Sequence, residues 1–156
     1  MLEGPNVLGI APLCGQGGHF RFQGTASKVN FALDDLPRYP ALGDRTDIYR
    51  GFVSVSPSIE YLERAFDEGK YGWYSSRPYL DCAIQSTIDP DMAPPGKHVM
   101  SMFTQWVPHT FAAAPHRAEL DAYADRLIAR MEELAPGFTS SILHRQVIGP
   151  HDMETT

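Results

Sequence analysis

Only a few residues in this chain have the types and spacings that chemistry demands, and each set has a plain structural explanation beside it. Cys14-Gly-Gln-Gly-Gly18 offers the bare backbone of a phosphate-cradling loop. It lacks the G-x-G-x-x-G spacing, carries Pro12 where a strand should lead in, and no lysine follows to serve a Walker-type loop. A flexible loop explains it better. His151-Asp152-Met153-Glu154 gathers three metal-ligating side chains. A metal needs three or four convergent ligands, and no second histidine or cysteine pair stands nearby at ligand spacing, so a solvated terminal segment is expected and no metal site. The other histidines (His19, His98, His109, His116, His144) are scattered, with no H-x-x-x-H or H-E-x-x-H pattern. A serine hydrolase would want G-x-S-x-G and a cysteine hydrolase an exposed thiol beside a base. Neither is present, and Cys82 reads as a buried structural cysteine. The carboxylate pairs Asp34-Asp35, Asp89/Asp91 and Glu132-Glu133 fall in loops or on a helix surface, where solvation accounts for them. No catalytic residue is assigned.

Three polar residues are more informative because of where they fall. Lys28 and Asn30 share one face of a predicted strand, opposite Val29 and Phe31. Gln105 lies in an otherwise apolar strand beside Trp106. Polar groups on a covered sheet need partners, and ligands bind where a few polar groups converge in an apolar cleft. Lys28, Asn30 and Gln105 are therefore the candidate wall of a binding cavity, set against the simpler reading of satisfied core or edge polarity.

The elements that would position them belong to a single domain of ordinary globular composition. The 156 residues are 43% hydrophobic and 21% charged, a balance that excludes disordered and collagenous chains. Acidic residues outnumber basic ones 19 to 13, for a formal charge of −6. That sign argues against nucleic acid, whose phosphates are bound by cationic groups, and against an anionic membrane surface. No apolar run approaches the roughly 20 residues of a membrane span, and no Lys or Arg precedes Arg21 to start a signal peptide. Two cysteines cannot build a disulfide framework. A soluble, reduced, cytoplasmic protein is the expectation.

Residues 1–24 form a glycine-rich segment of their own, with six of the 13 glycines and little periodicity. Residues 25–156 carry the pattern of an α+β domain. Ser27–Leu33 alternates as a half-buried strand. Asp47–Ser54 reads as a second strand. Ser56-Pro57 opens a helix with the stripe Ile59, Leu62, Ala65, Phe66, ending near Gly69. Leu80–Ile88 alternates cleanly, and His98–Val107, apolar on both faces, suits a central strand covered on both sides. Pro115–Leu134 is the longest helix, with Leu120, Tyr123, Ala124, Leu127, Ile128, Met131 and Leu134 in one stripe. Ile142–Ile148 is the last strand, and Gly149–Thr156 trails off polar. Neighbouring strands without intervening helices predict an antiparallel or mixed sheet with two main helices packed on one face.

Several strings then point to a family. Lys28-Val-Asn-Phe-Ala-Leu-Asp-Asp-Leu-Pro37, Ser86-Thr-Ile-Asp-Pro-Asp-Met-Ala-Pro-Pro-Gly-Lys-His98, Val99-Met-Ser-Met-Phe-Thr-Gln-Trp-Val-Pro108, Asp121-Ala-Tyr-Ala-Asp-Arg-Leu127 and Leu134-Ala-Pro-Gly-Phe138 occur in order. Together they resemble the substrate-domain sheet of phytoene dehydrogenase-like FAD-dependent oxidoreductases, nearest to the branch described as pyridine nucleotide-disulfide oxidoreductase domain-containing. Residues 1–24 do not resemble it. The family's dinucleotide fingerprint and its second, glycine-rich flavin segment have no counterpart here.

The resemblance implies an intact protein that binds FAD in a Rossmann-like domain, with this sheet as the wall of a cavity for an apolar small-molecule substrate over the flavin ring. The flavin would accept a hydride while this domain supplies shape and orientation. Lacking the pyrophosphate-binding turn, this chain alone is expected to hold no cofactor and to be inactive, as a natural fragment, a split protein or a disrupted reading frame. Its expected partner is the missing FAD-binding domain or, through an uncovered apolar face, a second copy in a homodimer. A freestanding binding or self-association module for an apolar ligand is the alternative.

Overall fold

A computed structural model describes residues 26–109 and 116–155. The glycine-rich segment 1–24, the Cys14–Gly18 string and Pro115 lie outside the described residues. Among the described residues five strands form one sheet: β1 (Ala26–Leu33), β2 (Phe52–Val55), β3 (Tyr79–Ile84), β4 (His98–Gln105) and β5 (Ile142–Ile148). Their spatial order is β2-β3-β4-β1-β5, every neighbouring pair antiparallel. Helices α1 (Ile59–Lys70), α2 (His116–Leu134), α3 (Phe138–Ser141) and α4 (Pro150–Thr155) complete an α+β fold. No described helix is long and apolar enough to cross a membrane.

The period-2 pattern decides which face of the sheet is buried. Val29, Phe31 and Leu33 of β1, Leu80, Cys82 and Ile84 of β3, and Met100 and Met102 of β4 all point into the core. The α2 stripe (Leu120, Tyr123, Ala124, Leu127, Met131) lies in the same core and is fully buried. The chain leaves α2 through Gly137, at φ 92°, and Phe138 meets Phe31 edge-on at 5.5 Å between ring centroids. Glu132 closes this turn by accepting the N–H groups of Gly137 and Thr139 at 2.7 Å each.

Several boundaries and faces differ from the sequence expectation, each for a local reason. The second strand begins at Phe52, because Asp47–Arg50 coils into a 3-10 turn that tucks Tyr49 inward, its hydroxyl donating to the Pro37 carbonyl at 2.7 Å. The third strand stops at Ile84. Beyond it the Thr87 hydroxyl donates to the carbonyls of Ile84 and Tyr49, and Ser86 Oγ accepts from the Val99 N–H. These side-chain bonds replace the strand ladder with a turn, leaving Ile88 exposed.

Helix α1 starts at Ile59 with Ser58 as its cap, whose Oγ accepts the Tyr61 N–H at 3.1 Å. Ile59 therefore sits in the first turn and is exposed rather than part of the buried stripe. Gly69 stands one residue before the end of that helix at Lys70, in line with the expected stop near it. It lies inside α1 where a Cβ would come within 3.0 Å of Trp106 Cβ and 3.1 Å of the Trp106 carbonyl oxygen, so its bare backbone is what lets α1 close on the end of β4. Phe66 adds an edge-on contact with the Trp106 ring at 5.5 Å.

Among the described residues, the central strand β4 is covered on one face, not two. Its outward residues Val99, Ser101 and Gln105 are half-buried, and Phe103 is exposed. The chain after β5 folds as α4 instead of trailing off.

Candidate functional site

The open face of the sheet collects the three residues singled out by sequence. In the β1/β4 register Lys28 lies opposite Phe103, Asn30 opposite Ser101, and Gln105 opposite Ala26. Residues directly opposite in an antiparallel pair project to the same face, so Lys28, Asn30 and Gln105 share the face away from α2. Lys28 is exposed there, and Asn30 and Gln105 are half-buried.

Their surroundings were not legible from spacing. Ser101 Oγ donates to Asn30 Oδ1 at 3.0 Å, and Asn30 Nδ2 donates to Gln146 Oε1 at 3.1 Å. A polar row thus crosses β4, β1 and β5. Asn30 is held by partners within the sheet, as the plainer reading of its polarity had it. On the far side Ser54 Oγ donates to Asp81 Oδ1 across β2 and β3, on the face that also carries Phe52 and Phe103. This is a mixed surface: polar rows with two exposed phenylalanines between and beside them.

Two hollows among the described residues lie elsewhere. One, of about 550 Å³, runs along α1 between Glu60, Arg64, Glu68 and Arg77. Another of about 550 Å³ opens beside Arg38, Tyr39, Arg45 and Tyr49. Neither contains Lys28, Asn30 or Gln105. The carboxylates expected to be solvated are engaged at the surface, Asp34 with Lys97 and Asp35 with Arg38. Cys82 is buried as expected. Burial, with the Asp81 carboxylate next to it, pushes its thiol up to about 12, which removes it as a nucleophile near neutral pH.

The dinucleotide that the family resemblance implies does not fit the described residues. Pyrophosphate is held where a parallel strand turns through glycine into a helix N-terminus. The sheet here is antiparallel throughout, and the first turn of α1 is already capped by Ser58.

The terminal segment departs most from expectation. Gly149 packs so closely on α2 that a Cβ there would lie 2.7 Å from Leu120 Cδ2, and α4 begins at the next residue. Arg117 ties the same corner. Its Nη1 donates to the Val147 carbonyl at 3.2 Å and its Nη2 to Asp152 Oδ1 at 2.7 Å. Asp152 Oδ2 accepts the Gly149 N–H at 2.8 Å. Burial alone would raise the Asp152 carboxyl, but the Gly149 N–H and the Arg117 guanidinium outweigh it and hold it below the usual range.

As a result His151 and Asp152 meet His116, from the start of α2, with one potential ligand atom from each within 4.8 Å of the others. The rings of His116 and His109 lie 5.0 and 5.3 Å from that of His151. Burial draws the His116 imidazole below its ordinary value, with Asp152 pulling the other way. The expected solvated tail is thus a folded corner with a second histidine beside it. No local spacing signals this, because His116 and His151 are joined only by the packing of α4 on α2.

Curated proteins similar to this chain include two that share a name. "Pyridine nucleotide-disulfide oxidoreductase domain-containing protein 2" of Mus musculus is 36% identical over 141 residues, covering 85% of this chain and 24% of the mouse protein. The Rattus norvegicus protein of the same name is also 36% identical over 141 residues, with the same coverage of 85% and 24%. The chain is homologous to part of an oxidoreductase-domain protein. It spans about a quarter of the length of these relatives. No protein-family model matches it.

Proposed function

We propose that this chain is the substrate-side domain of a phytoene dehydrogenase-like, FAD-dependent oxidoreductase of the cytoplasm. The reading rests on the 36% identity to relatives named for an oxidoreductase domain, extending over 85% of this chain. The open sheet face, with Lys28, Asn30 and Gln105, forms one wall of a cavity for an apolar small molecule, and a flavin-binding domain completes it. The chain's own contribution is shape and orientation. Phe103 offers apolar contact at the middle of the face, the Ser101–Asn30–Gln146 row fixes the polarity around it, and Lys28 carries the positive charge. In this reading the chain alone is expected to hold no FAD and to have no redox activity.

The test is a visible absorption spectrum of the purified chain before and after excess FAD, followed by addition of the separately expressed remainder of the mouse relative, preincubated with FAD. The expected result is no flavin band and no FAD binding by the chain alone, and a flavin spectrum that shifts when the chain is added to the loaded partner. Stoichiometric flavin on the isolated chain would sink the claim of inactivity. An unshifted partner spectrum would sink the assignment as its substrate side.

One observation favours a second reading, a self-associating module. Phe52 is 69% exposed and Phe103 39% exposed on the same face, and apolar surface of this kind tends to be covered. In that reading the chain is a homodimer through the sheet. Its mass by sedimentation then rises with concentration and falls to the monomer value in Phe103→Lys.

A further inference from the structure

We propose that His116, His151 and Asp152 form a binding site for a divalent transition metal of the zinc class. Two imidazoles and one carboxylate make a nitrogen-rich donor set that suits zinc and its first-row neighbours and does not suit calcium or magnesium, which prefer oxygen. The three side chains come from two elements, α2 and α4, and the fold brings one ligand atom of each within 4.8 Å of the others.

The corner is braced independently of any metal. Gly149 seats α4 on Leu120, and Arg117 grips both Val147 and Asp152. Donors on both oxygens of Asp152, Arg117 Nη2 at 2.7 Å and the Gly149 N–H at 2.8 Å, orient the carboxylate from outside, as outer-shell partners do in metal sites.

The geometry also states what must move. Bonds of 2.0–2.1 Å to a tetrahedral zinc place ligand atoms about 3.3 Å apart, so the set must contract by roughly 1.5 Å. His151 is exposed and can supply that movement by side-chain rotation, whereas His116 is partly buried at the start of α2. The positive charge of Arg117 opposes a dication and weakens the site relative to one without it. Water fills the remaining positions. A bound metal would fasten the last helix to the start of α2, a link the sheet does not provide.

The experiment uses the full chain, stripped with chelator and titrated with Co2+ as a coloured stand-in for zinc. One equivalent of Co2+ is expected to give visible d–d absorption that excess Zn2+ abolishes. His151→Ala, at an exposed position, is expected to weaken binding roughly tenfold or more, by analogy with the effect of outer-shell losses, with far-UV circular dichroism unchanged. His116→Ala and Asp152→Asn weaken it likewise, and His144→Ala, a histidine of β5 outside the cluster, leaves it intact. Because His116→Ala also removes packing, His151→Ala decides the matter. Absence of stoichiometric binding, or binding in His151→Ala equal to that of the parent chain, overturns the proposal.

Discussion

The bond between Tyr123 and Thr104 joins the longest helix to the central strand, and its contribution can be isolated. Both residues are fully buried, and the two hydroxyls bond to each other. Tyr123→Phe leaves the Thr104 hydroxyl in the core without that partner, and Thr104→Val does the same to the tyrosine while nearly keeping shape. A buried polar group stripped of its partner costs about 1–3 kcal/mol, whereas replacing both partners by apolar groups is close to neutral. Each single variant is therefore expected to lose about 1–3 kcal/mol of unfolding free energy. The double variant should lose clearly less than the sum, with a coupling of about 1–2 kcal/mol. Urea titrations of the four proteins measure this, and an unchanged slope with denaturant shows that the unfolded state is the same in each. Additivity within about 0.5 kcal/mol would refute the reasoning, since it would mean that each hydroxyl finds another partner or water when its mate is removed.

Two further outcomes follow from burial. Tyr39 and Tyr123 are 6% and 0% exposed, and burial raises both phenols far above their ordinary range. Their folded pKa exceeds the unfolded value of about 10, so their contribution is whole below pH 10 and is lost as pH rises beyond it, at about 1.4 kcal/mol per pH unit for each. Denaturant midpoints measured from pH 9 to 11.5 should fall accordingly, less steeply in Tyr39→Phe; a flat profile contradicts their burial. Phe138, 1% exposed and edge-on to Phe31, should cost about 3–5 kcal/mol as Phe138→Ala. Calorimetry would show the lower melting temperature, and an unchanged one would remove Phe138 from the core.

Alternation and helical spacing carried most of the fold. Val29, Phe31 and Leu33 went inward as the period of two required, the α2 stripe buried five of its seven members, and β5 lies at Ile142–Ile148 as read from sequence. Two of the misplaced ends, the start of α1 and the end of β3, share a cause. Ser58, Ser86 and Thr87 bond to nearby backbone and stop or start elements where apolar spacing alone would have run on. The close approach of Gly69 to the backbone of Trp106 left no mark in local spacing, because the two are distant in the chain.

The candidate sites divide along the same line. That Lys28 and Asn30 share a face follows from strand geometry within one segment, so the sequence by itself determined it. That Gln105 joins them, that Ser101 and Gln146 bracket Asn30, and that β4 has one open face were decided by the pairing of strands. Register depends on which segments meet, and no single segment encodes it. The meeting of His116 with His151 and Asp152 belongs wholly to tertiary structure. It exists because Gly149 allows α4 to close on Leu120 and Arg117 holds it there, a convergence of α2 and α4 that spacing along the chain does not express.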